Sequence, residues 1–301
     1  MGRKKMNRTG EENINNQGLK MKIINYKNAH DIDVQFEDGK IREHMRYDHF
    51  KEGKIIYEKI NYLNEENINN QGLKMRIIKY NTSYDIDVQF EDGYIKKNVQ
   101  YIHFKKGSIR NPYFKEYYGV GYTGETKIQE NGKELKSYKV WSSMIQRCYD
   151  DKFQIKQPTY KDCKVCEEWH CYANFKKWFN KNYYELDNER VELDKDILVE
   201  GNKIYSPDTC IFAPKYINEL FRNKVRDLPK GVCYYKKGNC YMVSITIYKN
   251  SKYLGSYKTI EEAKRVYDEA RKEMINKVAE DYKDKIPQKL YNRLKEIYYM
   301  L

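Results

Sequence analysis

The chain has 301 residues, 34% of them charged, with 57 Lys and Arg against 44 Asp and Glu, a formal net charge of +13. No apolar run approaches the roughly 18 residues that span a bilayer, and the first ten residues lack the apolar core of a signal peptide. These features exclude a membrane-spanning protein and predict a cytoplasmic one. The length predicts about two domains, or more if the units are small.

The excess of positive charge and the 31 tyrosines favour a polyanionic partner. Lysine attracts phosphate, and tyrosine can stack or hydrogen-bond to it. An AT-rich genome would produce the same bias, so composition alone leaves both explanations open. Seven cysteines, an odd number, argue against a disulfide framework and leave metal binding or simple burial as their role.

The first third of the chain contains a duplicated module. Residues 11–24 read EENINNQGLKMKII and residues 65–78 read EENINNQGLKMRII, and the match continues at a constant offset of 54. We place β repeat 1 at 11–64 and β repeat 2 at 65–112. Within each copy, apolar and polar residues alternate with period two, and EDG predicts a tight turn. Three or four strands in so short a module predict a small SH3-like β fold.

The two faces of the predicted second strand differ in chemistry. Its apolar phase consists of Ile32, Val34 and Phe36. Its opposite phase consists of Asp31, Asp33, Gln35 and Glu37. That face would repel phosphate, so we do not place DNA on it, and a protein partner for the repeats is one of the alternatives that stay open. His49 and His103 recur with the repeat; partial burial beside the following Phe is favoured over metal binding.

The middle region, which we place at 113–224, begins with helical patterns. Apolar residues in SYKVWSSMIQRCYD recur at helical spacing, and TYKDCKVCEEWHCYANFKKWF predicts an extended segment followed by a second helix. The segment 189–210, which follows these helical patterns, reads ERVELDKDILVEGNKIYSPDTC.

The region 227–282 predicts a three-stranded sheet packed on one helix. Three alternating runs are separated by KKGN and KNSK turns. The hydroxyl of Thr259 can cap a following helix, with Glu262 three residues later. One face of that helix carries Ala263, Tyr267 and Ala270. A further C-terminal helix is expected over 283–301, and the whole chain is predicted to be an α+β multidomain protein.

The C-terminal pattern resembles the plant ethylene-response-factor (apetala-type) DNA-binding domain, which also occurs in phage and mobile-element nucleases. The residues that carry the resemblance are Gly231-Val232, Leu254-Gly255, Tyr257, Thr259 and Glu262-Ala263. In that family the sheet lies in the major groove of double-stranded DNA. The resemblance therefore implies DNA contacts from Tyr235, Lys237, Ser244, Thr246, Lys252 and Tyr253. The plant family has Arg at many of these places, so Tyr, Ser and Thr here favour contacts to phosphate or to AT-rich sequence.

The motifs VWSSMIQRCYD, VCEEWHCYANF and LDKDILVEGNKIYSPDTC together resemble an HNH-like nuclease family of phages and mobile elements. The resemblance implies metal-dependent cleavage of phosphodiester bonds with a divalent ion such as Mg²⁺. The resemblance implies that the segment 189–210 forms an acidic strand, a turn and a helix that starts at Thr209 and Cys210. By position in that family, Asp194 would be the acidic metal ligand, Lys195 would stand in the place of the general base and Asn202 would lie in the turn. Asp194 and Asp196 are two apart in a predicted strand, so they would share a face and could hold the metal together.

Lys195 separates two classes of function. Its ordinary pKa near 10.4 makes it a poor general base, whereas beside phosphate a lysine is an effective clamp. The chain is therefore either an HNH-type (homing) DNA endonuclease or nickase, or a catalytically inactive DNA- or protein-binding regulator, such as an inhibitor of a host defence system. Both alternatives imply a phage or mobile-element protein that acts in the cytoplasm of a bacterial host.

A second metal hypothesis concerns the cysteines of the middle region. Cys163 and Cys166 are separated by two residues, and His170 and Cys210 could complete a zinc ligand set. A single Cys-x-x-Cys is only part of a zinc pattern. Burial of these small side chains in a core is the alternative explanation.

Overall fold

A computed structural model describes residues 7–57, 62–221 and 227–300. The chain forms two compact units, residues 1–110 and 111–301, and is an α+β protein with several small, mostly antiparallel sheets. The predicted boundary at 224 lies outside the described residues. Among the described helices, none has both the length and the apolar character needed to cross a bilayer.

Each N-terminal repeat is a four-stranded antiparallel meander followed by a short helix. The first contains β1 (Glu12–Ile14), β2 (Lys20–Asn28), β3 (Asp31–Phe36), β4 (Ile41–Met45) and α1 (Tyr47–Lys51). The second contains β5 (Glu66–Ile68), β6 (Lys74–Thr82), β7 (Asp85–Phe90), β8 (Ile95–Val99) and α2 (Tyr101–Lys105). In both sheets the strands pair in chain order. The predicted strands are present, and the SH3-like comparison stays a prediction.

The alternating apolar residues of each repeat form its core. In the first copy the buried residues include Met21, Ile23, Ile32, Val34, Phe36 and Phe50. The repeated INNQG motif has a structural cause, because the Asn15 carboxamide accepts the N–H groups of Gln17 and Leu19 and donates to the Ile55 carbonyl. The second copy repeats these bonds from Asn69.

The histidines of the short helices lie on the surface, so the prediction of partial burial is wrong. His49 and His103 are exposed, whereas the adjacent Phe50 and Phe104 are fully buried. Neighbouring residues of a helix point in different directions, so burying the Phe side chain turns the His side chain towards solvent.

The middle of the C-terminal unit is built from short strands and helices around an aromatic core. Its elements are β9 (Gln129–Glu130), β10 (Lys133–Glu134), α3 (Lys136–Tyr149), α4 (Asp151–Lys156), β11 (Lys164–Val165), α5 (Glu167–His170), α6 (Tyr172–Asn182), β12 (Val191–Asp194), β13 (Ile204–Tyr205), β14 (Ile211–Pro214) and α7 (Lys215–Phe221). The helix predicted from apolar spacing is confirmed as α3, which buries Trp141, Met144 and Ile145. Trp169 and Phe175 from α5 and α6 complete this core.

The segment 189–210 differs from its predicted arrangement. Strand β12 pairs with β14, whereas β13 pairs in parallel with β11. Thr209 and Cys210 do not start a helix; they precede β14, and α7 begins at Lys215. The physical reason is that all four residues of β14 are buried and are held extended by their pairing with β12.

The end of the chain forms the predicted sheet and helix. The elements are β15 (Val232–Tyr235), β16 (Cys240–Ile247), β17 (Asn250–Tyr257), α8 (Ile260–Tyr282) and α9 (Gln288–Met300). The Thr259 hydroxyl accepts the N–H of Glu262, which confirms the predicted cap. Ala263 and Tyr267 are buried against the sheet. The last helix was expected from 283 and begins at Gln288.

Two glycines of the apetala-type motif are required by packing. Gly231 has φ +78°, and a Cβ there would lie 2.1 Å from ring carbons of Tyr267 on α8. Gly255 has φ +131°, and a Cβ there would lie 2.8 Å from the hydroxyl of Tyr257. Gly255 also stands beside the register shift between β16 and β17. Glycine alone adopts these conformations without strain and leaves the space open, so the fold explains both residues without DNA.

Candidate nucleic-acid interface

One face of the C-terminal sheet packs on α8 and the other is open. Along β16, Val243 and Ile245 are buried, whereas Ser244 and Thr246 are exposed. Side chains alternate between the two faces of a strand, so Ser244 and Thr246 project from the face opposite the helix. The alternation thus fixes which side of the sheet is available to a partner.

Strand register extends this open face across the sheet. Residues directly opposite each other in an antiparallel pair project from the same side. Between β16 and β17, Ser244 lies opposite Tyr253, Thr246 opposite Ser251 and Met242 opposite Ser256. Between β15 and β16, Cys233 lies opposite Met242 and Tyr235 opposite Cys240. We call this surface the outer sheet face; it consists of Cys233, Tyr235, Cys240, Met242, Ser244, Thr246, Ser251, Tyr253 and Ser256.

The structure separates the six residues predicted to contact DNA. Four of them lie on the outer sheet face: Tyr235, Ser244, Thr246 and Tyr253. Lys237 lies in the 3-10 turn between β15 and β16. Lys252 pairs with the buried Ile245, so it projects from the helix side of the edge strand β17, where it is exposed. Adjacent strand residues face opposite ways, so Lys252 and Tyr253 do not share a face.

Sequence reasoning missed the thiol and thioether side chains of this face. Cys233 is exposed and lies opposite Met242 at the centre of the sheet. Counting back by two from Ser244 along β16 would have identified Met242. Cys233 could be placed only from the register between β15 and β16.

The segment 229–260 contains no Asp or Glu. It contains six lysines: Lys230, Lys236, Lys237, Lys249, Lys252 and Lys258. Lys236 and Lys237 are exposed beside the outer sheet face, at the end of β15. The formal charge of this segment is therefore of one sign, and a surface of one charge sign raises the local concentration of the opposite charge.

Lys195 is turned into the protein. The residue is only 6% exposed, and its Nζ donates to Asp196 Oδ1 at 2.5 Å and to the Asn202 carbonyl at 2.6 Å. The Asn202 carboxamide in turn donates to the carbonyls of Lys195 and Ile204. Lys195 and Asn202 therefore fasten the two ends of the loop after β12 to each other.

Asp194 and Asp196 do not share a strand face, contrary to the sequence prediction. Strand β12 ends at Asp194, and the chain turns so that the N–H groups of Asp196 and Ile197 donate to Asp194 Oδ1 at 2.6 and 2.8 Å. Burial raises the pKa of Asp194, although these two hydrogen bonds oppose the shift. The Asp194 carboxylate therefore caps a turn, and the Asp196 carboxylate pairs with Lys195.

The predicted zinc ligands are not assembled into one site. Within the described part of the chain, no three of Cys163, Cys166, His170 and Cys210 bring ligand atoms within 4.8 Å of one another. His170 Nε2 lies 3.0 Å from the Val165 carbonyl, and Cys163 and Cys210 are buried. Burial raises the pKa of Cys163 and Cys166 and raises that of Cys210 to about 12, which opposes the thiolate form that zinc requires.

Comparison with known proteins gives no match: no family model, no curated protein and no solved structure is significantly similar to this chain. The HNH-like and apetala-type resemblances therefore rest on the sequence motifs alone. A function has to be inferred from the residues and their geometry.

Proposed function

We propose that this protein binds double-stranded DNA through the outer sheet face. The proposal rests on the charge of residues 229–260, which form the three strands and their turns. This range contains six lysines and no Asp or Glu. The face itself offers hydroxyl, thiol and aromatic side chains, which can contact DNA without introducing negative charge. A small sheet of this kind can enter the major groove, as other β-sheet readers of DNA do.

The side chains of the face suggest how the contacts are divided. Ser244 and Thr246 are short hydrogen-bonding groups at the centre of the sheet and can reach base edges or phosphate oxygens. Lys236 and Lys237 at the end of β15 are placed to contact backbone phosphates. The face has no Arg to bind guanine in a bidentate manner. We therefore expect strong dependence on salt and modest dependence on sequence.

A salt titration tests this assignment. Fluorescence anisotropy with a labelled duplex should show that the double variant Lys236→Ala and Lys237→Ala binds about tenfold more weakly at moderate salt. The slope of log K against log salt should become shallower by about 0.9 for each phosphate that the variant no longer neutralises. The double variant Lys264→Ala and Lys277→Ala is the matched control, since both lysines are exposed on α8, the layer opposite the outer sheet face. An equal loss of affinity in the control would show that only total charge matters.

The endonuclease hypothesis is tested separately, with supercoiled DNA in Mg²⁺, Mn²⁺ or chelator. We expect binding without nicking, because Lys195 and Asn202 fasten a loop and Asp194 caps a turn. Metal-dependent nicking that disappears in Asp194→Ala would instead support an HNH-like enzyme. Lys195→Met keeps the length of the side chain and removes its charge; it should lower stability while leaving DNA affinity nearly unchanged.

A non-catalytic regulator whose repeats dock a protein is the second candidate. Both repeats expose isoleucines at equivalent positions, Ile14 with Ile68 and Ile41 with Ile95. Recurring apolar side chains on an open sheet are typical of a protein contact rather than of a phosphate contact. Deletion of residues 1–110 should then leave the salt-dependent DNA affinity largely intact, and a collapse of affinity would assign DNA contacts to the repeats.

A further inference from the structure

The first repeat places an imidazole beside two carboxylates. Asp31 and Asp33 are two apart on β3 and project from the same, outer face of the sheet. The pairing of β3 with β4 shifts register between Ile32 and Val34, so β4 bulges opposite Asp33. At this bulge His44 has φ 57°, and its N–H donates to Asp33 Oδ1 at 3.0 Å.

The bulge aims the side chain of His44 at Asp31. Its Nδ1 lies 2.9 Å from Asp31 Oδ1. One ligand atom from each of Asp31, Asp33 and His44 lies within 4.8 Å of the other two, and the described residues contain no other such group. Bulges commonly redirect a side chain in this way.

The second repeat supplies a natural comparison. Strand β7 has the same sequence as β3, and its pairing with β8 shifts at the equivalent place. Asn98 has φ 54°, and its N–H donates to Asp87 Oδ1 at 3.0 Å. The backbone is thus arranged alike in both copies, and the residue at the bulge changes from His to Asn.

We propose that Asp31, Asp33 and His44 bind a divalent transition-metal ion such as Zn²⁺. Carboxylate oxygen and imidazole nitrogen are ligands that zinc accepts, and three protein ligands leave a position for water. Mg²⁺ and Ca²⁺ prefer oxygen ligands throughout, so the imidazole selects against them.

Two neighbouring groups limit the affinity of this site. Lys27 Nζ lies 3.2 Å from Asp31 Oδ2, and Asn25 donates to Asp33 Oδ2 at 2.8 Å. An incoming cation would meet the positive charge of Lys27 and compete with it for Asp31. We therefore expect Lys27→Ala to bind the metal several-fold more tightly than the natural chain.

Zinc titration of the full-length chain by calorimetry tests the site, with circular dichroism to verify that each variant is folded. His44→Asn, which installs the residue of the second repeat, should lose one equivalent of zinc. Asn98→His should gain one equivalent, because it completes the same geometry beside Asp85 and Asp87. His49→Asn is the control, since His49 is an exposed histidine of the same repeat outside the cluster.

The variants separate this site from the cysteines of the middle region, whose binding would persist in His44→Asn. An unchanged zinc stoichiometry in His44→Asn would overturn the proposal, as would a natural chain that takes up no zinc. An Asn98→His protein that gains no equivalent would also count against it, because the shared backbone arrangement would then not suffice to build the site.

Discussion

The N-terminal sheets and the C-terminal sheet are both antiparallel and open on one face, but their charged residues differ. Each is a small antiparallel sheet with one buried face and one open face. On the open face of the first repeat, acidic side chains alternate with lysines and form ion pairs, such as Glu12 with Lys22 and Asp31 with Lys27. Residues 229–260 of the C-terminal sheet contain six lysines and no Asp or Glu. The partner of a sheet is therefore decided by its open face, while the buried face decides the fold.

The largest effect, on stability, should come from replacing a glycine of the C-terminal sheet, compared with replacing a glycine of the first repeat. Gly231→Ala combines left-handed backbone strain with overlap of the Tyr267 ring, and should lower the free energy of unfolding by about 3 kcal/mol. Gly39→Ala, in the turn between β3 and β4, also has positive φ but has open space around the new Cβ. It should cost only about 1 kcal/mol. Urea denaturation followed by circular dichroism measures both, and equal costs would contradict the close packing of Gly231 on α8.

Adding one negative charge to each open face compares the two sheets directly. Ser244→Glu places a carboxylate at the centre of the outer sheet face and should weaken duplex binding at least tenfold, about 1.4 kcal/mol. Gln35→Glu makes the equivalent change on β3, where acidic neighbours are already present, and should leave DNA affinity unchanged. Anisotropy titrations at one salt concentration give both values. Similar losses of affinity in the two variants would place DNA contacts on the repeats as well.

The smallest expected effect is a change in the alkylation rate of a cysteine in the natural chain, without any substitution. Exposed Cys233 on the outer sheet face should be alkylated several-fold more slowly when duplex DNA is bound. Cys148 and Cys210 should stay unreactive with or without DNA, because burial raises the pKa of each to about 12 and little thiolate forms at neutral pH. Mass spectrometry of alkylated peptides reports each site. Unchanged alkylation of Cys233 at saturating DNA would place the duplex elsewhere.

Local patterns were sufficient for the strands of the repeats, for α3 and for the C-terminal sheet and its helix. Alternation predicted the strands of both repeats and of the C-terminal sheet, and apolar spacing predicted α3. The cap at Thr259 also followed from its neighbours in sequence. These features depend on residues within a few positions of one another, so the sequence alone contains the information.

Predictions for single side chains were less successful because they required long-range pairing. The sequence predicts Lys195 as a base or phosphate clamp, whereas its contact with the Asn202 carbonyl depends on how the following loop closes. Asp194 and Asp196 were predicted to share a face because both were placed in one strand. Strand β12 ends at Asp194, so the alternation of side chains does not extend to Asp196.

By itself, then, the sequence determined the duplicated modules, the secondary structure of the C-terminal sheet and helix, and the absence of carboxylates from residues 229–260. Only the tertiary structure decided that Lys195 is buried, that Lys252 faces away from Tyr253, and that His44 meets Asp31 across a bulge. The physical reason is that composition and periodicity are local properties of the chain. The direction of a side chain depends on strand register and loop closure, which join residues that are distant in sequence.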